Sequence, residues 1–152
     1  MIRRGMSILM AAGVAVTPIV MAAPAQAAVT CSGFNCDGKD PQATHCADGA
    51  TTSRTTYVRN SAGTAIAKVE LRWSPTCKTN WSRVTAVGST TRRMQGDVFR
   101  WSDHADRVGG IVTAPSVWSA MLYAPGVCAD AGGRVFFSDG KTAYAVTAVA
   151  CG

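Results

Sequence analysis

Cys31, Cys36, His45 and Cys46 are side chains of the kinds that hold zinc, gathered in one short stretch. Structural zinc sites space paired cysteines two to four apart, and four residues separate Cys31 from Cys36, but no matching second pair follows. An oxidising compartment would join such thiols in bridges instead, so disulfides are expected and a metal is not. Asp37, Asp40 and Asp48 offer carboxylate oxygens to a hard cation. Their DGKD spacing lacks the alternating ligands of an EF-hand loop, and Asx-turns are the plainer reading.

Asp103, His104 and Asp106 are the one place where a histidine stands beside carboxylates, a pairing that orients an imidazole as general base. A hydrolase would also need an activated nucleophile. No G-x-S-x-G is present, and Ser89 and Ser138 have no nucleophile-elbow context, so the trio reads as a solvated loop. Glu70 is the sole glutamate. Flanked by Lys68 and Arg72, it reads as part of an ion-paired surface ladder rather than as the raised-pKa acid of a glycosidase. No catalytic residue is assigned and no cofactor is expected.

Basic residues crowd the middle of the chain, from Arg54 and Arg59 through Lys68, Arg72, Lys78, Arg83, Arg92, Arg93 and Arg100 to Arg107, with Trp73, Trp81 and Trp101 interleaved. Outside a cell such a surface suits an anionic wall polymer or another secreted protein rather than nucleic acid. Lys68, Arg72, Arg83 and Arg100 are the polar-face candidates for contact. The plain alternative is a solvated surface with the tryptophans in the core.

The start of the chain says where these groups would work. Met1 to Ser7 carries Arg3 and Arg4, Ile8 to Ala23 is apolar, and Ala25-Gln26-Ala27 fits an A-x-A cleavage pattern. That layout is a secretory signal peptide over residues 1–27, leaving a mature chain from Ala28. The apolar run is short and broken by Gly13 and Pro18, which argues against a membrane anchor. The whole chain has 15 basic and 9 acidic residues. Arg3 and Arg4 fall in the leader, so 13 against 9 remain, a net charge of +4.

The remaining 28–152 fits one domain and a monomer. All six cysteines, at 31, 36, 46, 77, 128 and 151, lie in it. An even number in an exported chain reads as three bridges, with fifteen possible connectivities. The expectation is Cys128 with Cys151, and Cys77 with one of the N-terminal three.

The elements that position these groups read as strands. Ala65, Ala67, Val69, Leu71 and Trp73 alternate with Lys68, Glu70, Arg72 and Ser74, a period of two that buries one face. Residues 50–60 are Thr-rich and should form a hairpin with that strand through Asn60 to Gly63. Ser74-Pro75 ends the ladder, a turn is expected through Asn80, and 82–87 returns as strand. Gly88 to Gly96 reads as a polar loop, 97–102 as a short strand, and 103–115 as a loop around Gly109-Gly110. Val117 to Tyr123, apolar on both faces, reads as a central strand. Arg134 to Ser138 and Thr142 to Ala150 form a last hairpin about Asp139-Gly140, expected as a type I′ turn. Residues 28–48, rich in turn formers, form a cysteine-rich knot without a core of its own. Short strands between turn signals define an all-β class, a small disulfide-stapled β-sandwich or barrel.

The residues C-x4-C-x-G-K-D-P-x-x-T-x-C (Cys31 to Cys46), V-E-L-R-W-S-P-x-C-K-x-N-W-x-R (Val69 to Arg83) and W-S-x-M-x-Y-A-P (Trp118 to Pro125) resemble the bacterial family called domain of unknown function 2690. That resemblance implies a small exported protein of Gram-positive bacteria, above all actinobacteria. In some relatives the domain is appended to a membrane-tethered helix-turn-helix regulator, and no such segment is present here. The family brings no catalytic residues. A non-catalytic secreted or wall-associated domain that binds a component of the cell envelope or a neighbouring protein is the first expectation, a secreted inhibitor or antibacterial effector using the 88–96 loop the second, and a small hydrolase using His104 the third.

Overall fold

A computed structural model describes residues 27–152. The leader expected over residues 1–27 and its cleavage lie almost wholly outside the described residues.

Two antiparallel sheets pack face to face, which settles the architecture as a sandwich. The first sheet runs β1 (Thr51–Arg59), β2 (Ala65–Ser74), β3 (Thr79–Ala86) and β7 (Ser116–Trp118), with β8 (Leu122–Tyr123) also on β3. The second runs β10 (Thr142–Val146), β9 (Cys128–Phe136), β4 (Arg92–Arg100) and β5 (Ala105–Val108). In that sheet β6 (Val112–Ala114) adds to β4 and β11 (Ala150–Cys151) to β9.

Period-two alternation explains the core. Ala67, Val69 and Leu71 of β2 and Val84 of β3 face Met94 and Val98 of β4 and Ala129, Ala131 and Val135 of β9 across the interior. Small residues on the second sheet let the layers close up. A methyl added at Gly133 would lie 2.9 Å from Val84 Cγ2 and collide with Val69 as well. Beside it Ser82 donates across the interior to the Gly132 carbonyl at 2.7 Å, satisfying a buried hydroxyl.

The two hairpin turns share one design. Gly63 N–H reaches the Asn60 carbonyl at 2.9 Å, and Asn60 N–H the Thr64 carbonyl at 3.0 Å. Gly140 N–H reaches the Phe137 carbonyl at 3.2 Å, and Phe137 N–H the Lys141 carbonyl at 2.9 Å. Each glycine has φ near +80°, while Ala62 and Asp139 do not have positive φ. The Asp139-Gly140 reversal is therefore a type I turn closed by a glycine bulge, not the expected type I′ turn.

Several segment boundaries move. The turn after β2 is confined to Pro75–Lys78, so Thr79 to Trp81 already belong to β3. Of the loop expected over 88–96, residues 92–96 are strand, because Met94 and Gly96 continue the inward row of Val98. Residues 105–108 and 112–114 are not loop but short strands pairing with β4. The stretch 117–123 is not one central strand. Its ends pair with β3 as separate edge pieces, and Ser119 between them binds Ser82 twice, through its own N–H and its hydroxyl. The central strands of the second sheet are β9 and β4, and the inward Ala129, Ala131 and Gly133 of β9 gave no apolar run to read.

Three bridges join Cys31 to Cys36, Cys46 to Cys77, and Cys128 to Cys151, as expected for Cys77 and for the C-terminal pair. The knot has a single 3-10 turn, Gly33–Cys36, and docks on the outer side of the first sheet. There Cys31, Cys36, Cys46 and Cys77 pack with Trp81 and Met121 into a second apolar cluster.

Candidate functional site

On the outer side of the first sheet, the odd–even parity of β2 and β3 sends Lys68, Glu70, Arg72 and Arg83 out together. Glu70 and Arg83 are direct cross-strand partners, and Trp118 of β7 continues the row. In the neighbouring row Tyr57, Lys68, Thr85 and Ser116 stand opposite one another.

Glu70 is the hub, its side chain only 6% exposed beneath its partners. Arg83 Nε donates to one carboxylate oxygen at 2.8 Å, and Lys68 Nζ lies 3.2 Å from the other. Thr52 donates to the same oxygen as Lys68 at 3.1 Å, and Arg72 binds Thr52 Oγ1 and, at 2.7 Å, the Ala50 carbonyl. Burial pushes the Glu70 pKa up, but the hydrogen bonds from Arg83 and Lys68 outweigh it and hold the carboxyl below its ordinary value. Arg72 is pulled below its ordinary value by burial and then by the charge of Arg83, against the attraction of Glu70. Three cations thus surround one carboxylate.

Arg100, expected on the polar face, is not there. Its parity in β4 is that of Met94, Gly96 and Val98, so it points inward and is 4% exposed. It donates to both oxygens of Asp103 at 2.8 and 2.7 Å and to the Tyr123 carbonyl at 2.6 Å. Asp37 of the knot takes two further contacts, at 3.3 and 2.9 Å, and Phe34 lies under the guanidinium at 5.1 Å. All five donors of the fork are occupied, so Arg100 is a rivet between the knot and the sandwich.

The same rivet engages Asp103, one member of the Asp103–His104–Asp106 trio. Asp103 is held by Arg100 at about 2, well below the ordinary carboxylate range. His104 sits in the β4–β5 turn at φ +56°, tilted against Phe99 with ring centroids 5.9 Å apart. The three aspartates of the knot do not converge on a cation either. Asp37 serves Arg100, Asp40 caps the Gln42 and Ala43 amides at 2.7 and 3.0 Å, and Asp48 pairs with His45 at 3.3 Å. Asp40 also accepts from Trp118 Nε1 at 2.9 Å, which ties the knot to β7.

One surface feature escaped sequence reading. The outer side of the second sheet carries Trp101 and Tyr144, nearly half exposed, beside Phe99. Trp101 donates to Asp130, and Tyr144 crosses bare Gly132 to donate to Asp97 at 2.9 Å. Burial holds the Asp97 carboxyl above its ordinary value, and the Tyr144 phenol is raised by burial and by that bond. The alternation of Asp97, Phe99 and Trp101 was the signal that could have found it.

Fold and site together define a small disulfide-stapled β-sandwich with a docked N-terminal knot and a cation-rich outer face. No helix among the described residues is long and apolar enough to cross a membrane. Residues 34–146 match the family described as "Protein of unknown function (DUF2690)", and the chain belongs to it. The chain is similar to "Uncharacterized protein YjfA" of Bacillus subtilis (strain 168), 29% identical over 97 residues, 57% of this chain. The match spans 62% of that relative's length. No solved structure matches the chain.

Proposed function

We propose that the protein is a non-catalytic binding domain that works outside the cytoplasm and holds an anionic polymer of the cell envelope on the outer face of the first sheet. The observation that carries this reading is the gathering of Lys68, Arg72 and Arg83 around the single carboxylate of Glu70. Two positive charges are left over, and Arg72 and Arg83 stay close enough to disfavour each other. Like charges held together weaken a fold unless a counter-charge arrives. A polymer phosphate or carboxylate supplies one. Lys68 and Arg83, each more than a third exposed, are its contacts, and the hydroxyls of Thr85 and Ser116 lie beside them. Disulfides throughout the domain fit an oxidising compartment.

The inhibitor or effector reading rested on an exposed 88–96 loop, most of which is β4, so no observation favours it. Of the two carboxylates beside His104 in the hydrolase reading, Asp103 is taken by Arg100.

The test is retention of residues 28–152 on isolated cell wall. Screening shortens to about 3 Å at 1 M salt, so binding strong in dilute buffer should be lost there. Thr85→Glu, which sets a carboxylate directly opposite Lys68 to compete with the polymer for it, should weaken retention at least several-fold. Retention indifferent to both salt and Thr85→Glu would refute the proposal.

A further inference from the structure

Two of the three bridges meet inside the knot. Cys31–Cys36 and Cys46–Cys77 lie side by side, with Cys31 Sγ 3.6 Å from Cys46 Sγ. All four sulfurs fall within 4.8 Å of one another, and each cysteine is at most 9% exposed. Two bridges that merely close separate loops have no need to touch.

A tetrahedral zinc centre with Zn–S bonds of about 2.3 Å has S···S edges of about 3.8 Å. The four sulfurs already sit within an ångström of that edge across the bridges. Parting each bonded pair needs a movement of under about 2 Å, within reach of side-chain rotation about χ1. We propose that the reduced form of the knot is a structural zinc site whose ligands are Cys31, Cys36, Cys46 and Cys77.

The chemistry balances with a dithiol as reductant. Two dithiol molecules deliver four electrons and four protons, become two disulfides, and convert the two bridges into four thiols. Binding of Zn²⁺ then releases the four thiol protons and leaves a tetrathiolate centre of charge −2. Oxidation of the thiolates by a disulfide reverses the step and expels the ion.

The surroundings suit that centre. Trp81 and Met121, with Val29, Ala47, Ala50 and Trp118 packed around them, wall it from water. Lys39 lines the same surface depression as Cys31, a cation beside the dianion. The ligand set differs from the Cys31, Cys36, His45 and Cys46 cluster visible in sequence. His45 is turned outward to Asp48, and Cys77 at the end of the β2–β3 turn takes its place. One knot can therefore be held by bridges where thiols are oxidised and by a metal where they are not. The Cys128–Cys151 bridge, on β9 and β11, has no such neighbour.

The experiment titrates the mature chain with Co²⁺ under a phosphine reductant, which competes weakly for the metal. One equivalent should give the visible bands and sulfur-to-cobalt charge transfer of a tetrahedral thiolate site, bleached by one equivalent of Zn²⁺. Zn²⁺ should raise the melting midpoint of the reduced chain and leave the oxidised chain unchanged. Cys77→Ser should weaken binding at least tenfold, whereas His45→Ala and the Cys128→Ser/Cys151→Ser pair should leave the spectrum intact. An octahedral spectrum, no stoichiometric binding by the wild-type chain, or binding that survives loss of both Cys46 and Cys77 would overturn the assignment.

Discussion

Replacing Arg100 by methionine tests how the knot is fastened. Methionine fills much of the same volume but offers none of the five donors, so the Tyr123 carbonyl loses a 2.6 Å bond and Asp37 loses its charge partner. Removing one partner of a buried pair costs about 3–5 kcal/mol, because the other charge stays behind unpaired. Asp103 is half exposed and regains water, whereas Asp37, at 14%, does not, although the Tyr123 amide still donates to it at 2.6 Å. The lower end applies, about 3 kcal/mol, a large share of the about 5–15 kcal/mol typical of a domain. Urea unfolding with the bridges intact, followed by tryptophan fluorescence, should show the midpoint fall at constant m. Asp37→Asn on the Arg100→Met background should cost much less than on wild type, since its partner is already gone. A loss below about 0.5 kcal/mol for Arg100→Met, or strict additivity with Asp37→Asn, would refute the rivet.

Gly133→Ala should destabilise by about 1–3 kcal/mol through overpacking against Val69 and Val84, read as a lower melting midpoint; no change would mean the layers can part. Asp103, held at about 2, and Glu70, held below its ordinary value, contribute stability that is present above their ordinary pKa values and is lost as pH falls through the folded ones. Acid titration of the melting midpoint should therefore fall from about pH 4 toward 2, and less steeply in Arg100→Met. The Cys46–Cys77 bridge spans 31 residues and Cys31–Cys36 only 5. Replacing the first pair by alanine should cost about 3–4 kcal/mol and the second about 2, by chemical denaturation; the reverse order would contradict the loop-entropy argument. Arg83→Lys keeps the charge and loses the planar fork, so wall retention should drop several-fold if the polymer presents phosphate and stay level if charge alone matters.

Much of the fold was legible because parity is plain in β2, where Ala67, Val69 and Leu71 alternate with Lys68, Glu70 and Arg72 and Ile66 alone breaks the pattern, while β1 was read from its Thr-rich composition. Elsewhere the inward row mixes apolar residues with glycine, alanine and arginine, which breaks the apolar signal. In β4 the row is Met94, Gly96, Val98 and Arg100, and in β9 it is Ala129, Ala131, Gly133 and Val135. Glycine and alanine were chosen there by the facing valines, a long-range demand invisible in a local window. The split of 117–123 had the same origin. Seven apolar-leaning residues look like a buried strand, yet Ser119 leaves the ladder to satisfy Ser82 and lets Met121 drop into the knot. The pairing of Cys77 with Cys46 was anticipated only as a member of the trio, because the knot's docking over Trp81 decides which thiol is nearest.

Which basic residues can meet a partner depends on how many donors their own fold has already taken. Arg100 could have been withdrawn from the contact face by parity alone, since it lies two residues beyond inward Val98. Arg72 required the structure: it points outward, yet Thr52 and the Ala50 carbonyl hold its guanidinium against the strand edge. Arg83 gives Glu70 its Nε and keeps the two terminal nitrogens for a ligand, and Lys68 spends one of three donors on the same carboxylate. Glu70 therefore aims the two cations rather than cancelling them. A fixed anion beneath two partly used cations costs them little reach and removes much of the rotamer freedom that a flexible surface lysine or arginine would lose on binding. The sole glutamate of the chain, which from its neighbours alone looked like one rung of a surface ladder, is the residue that preorganises the basic face for the binding proposed above.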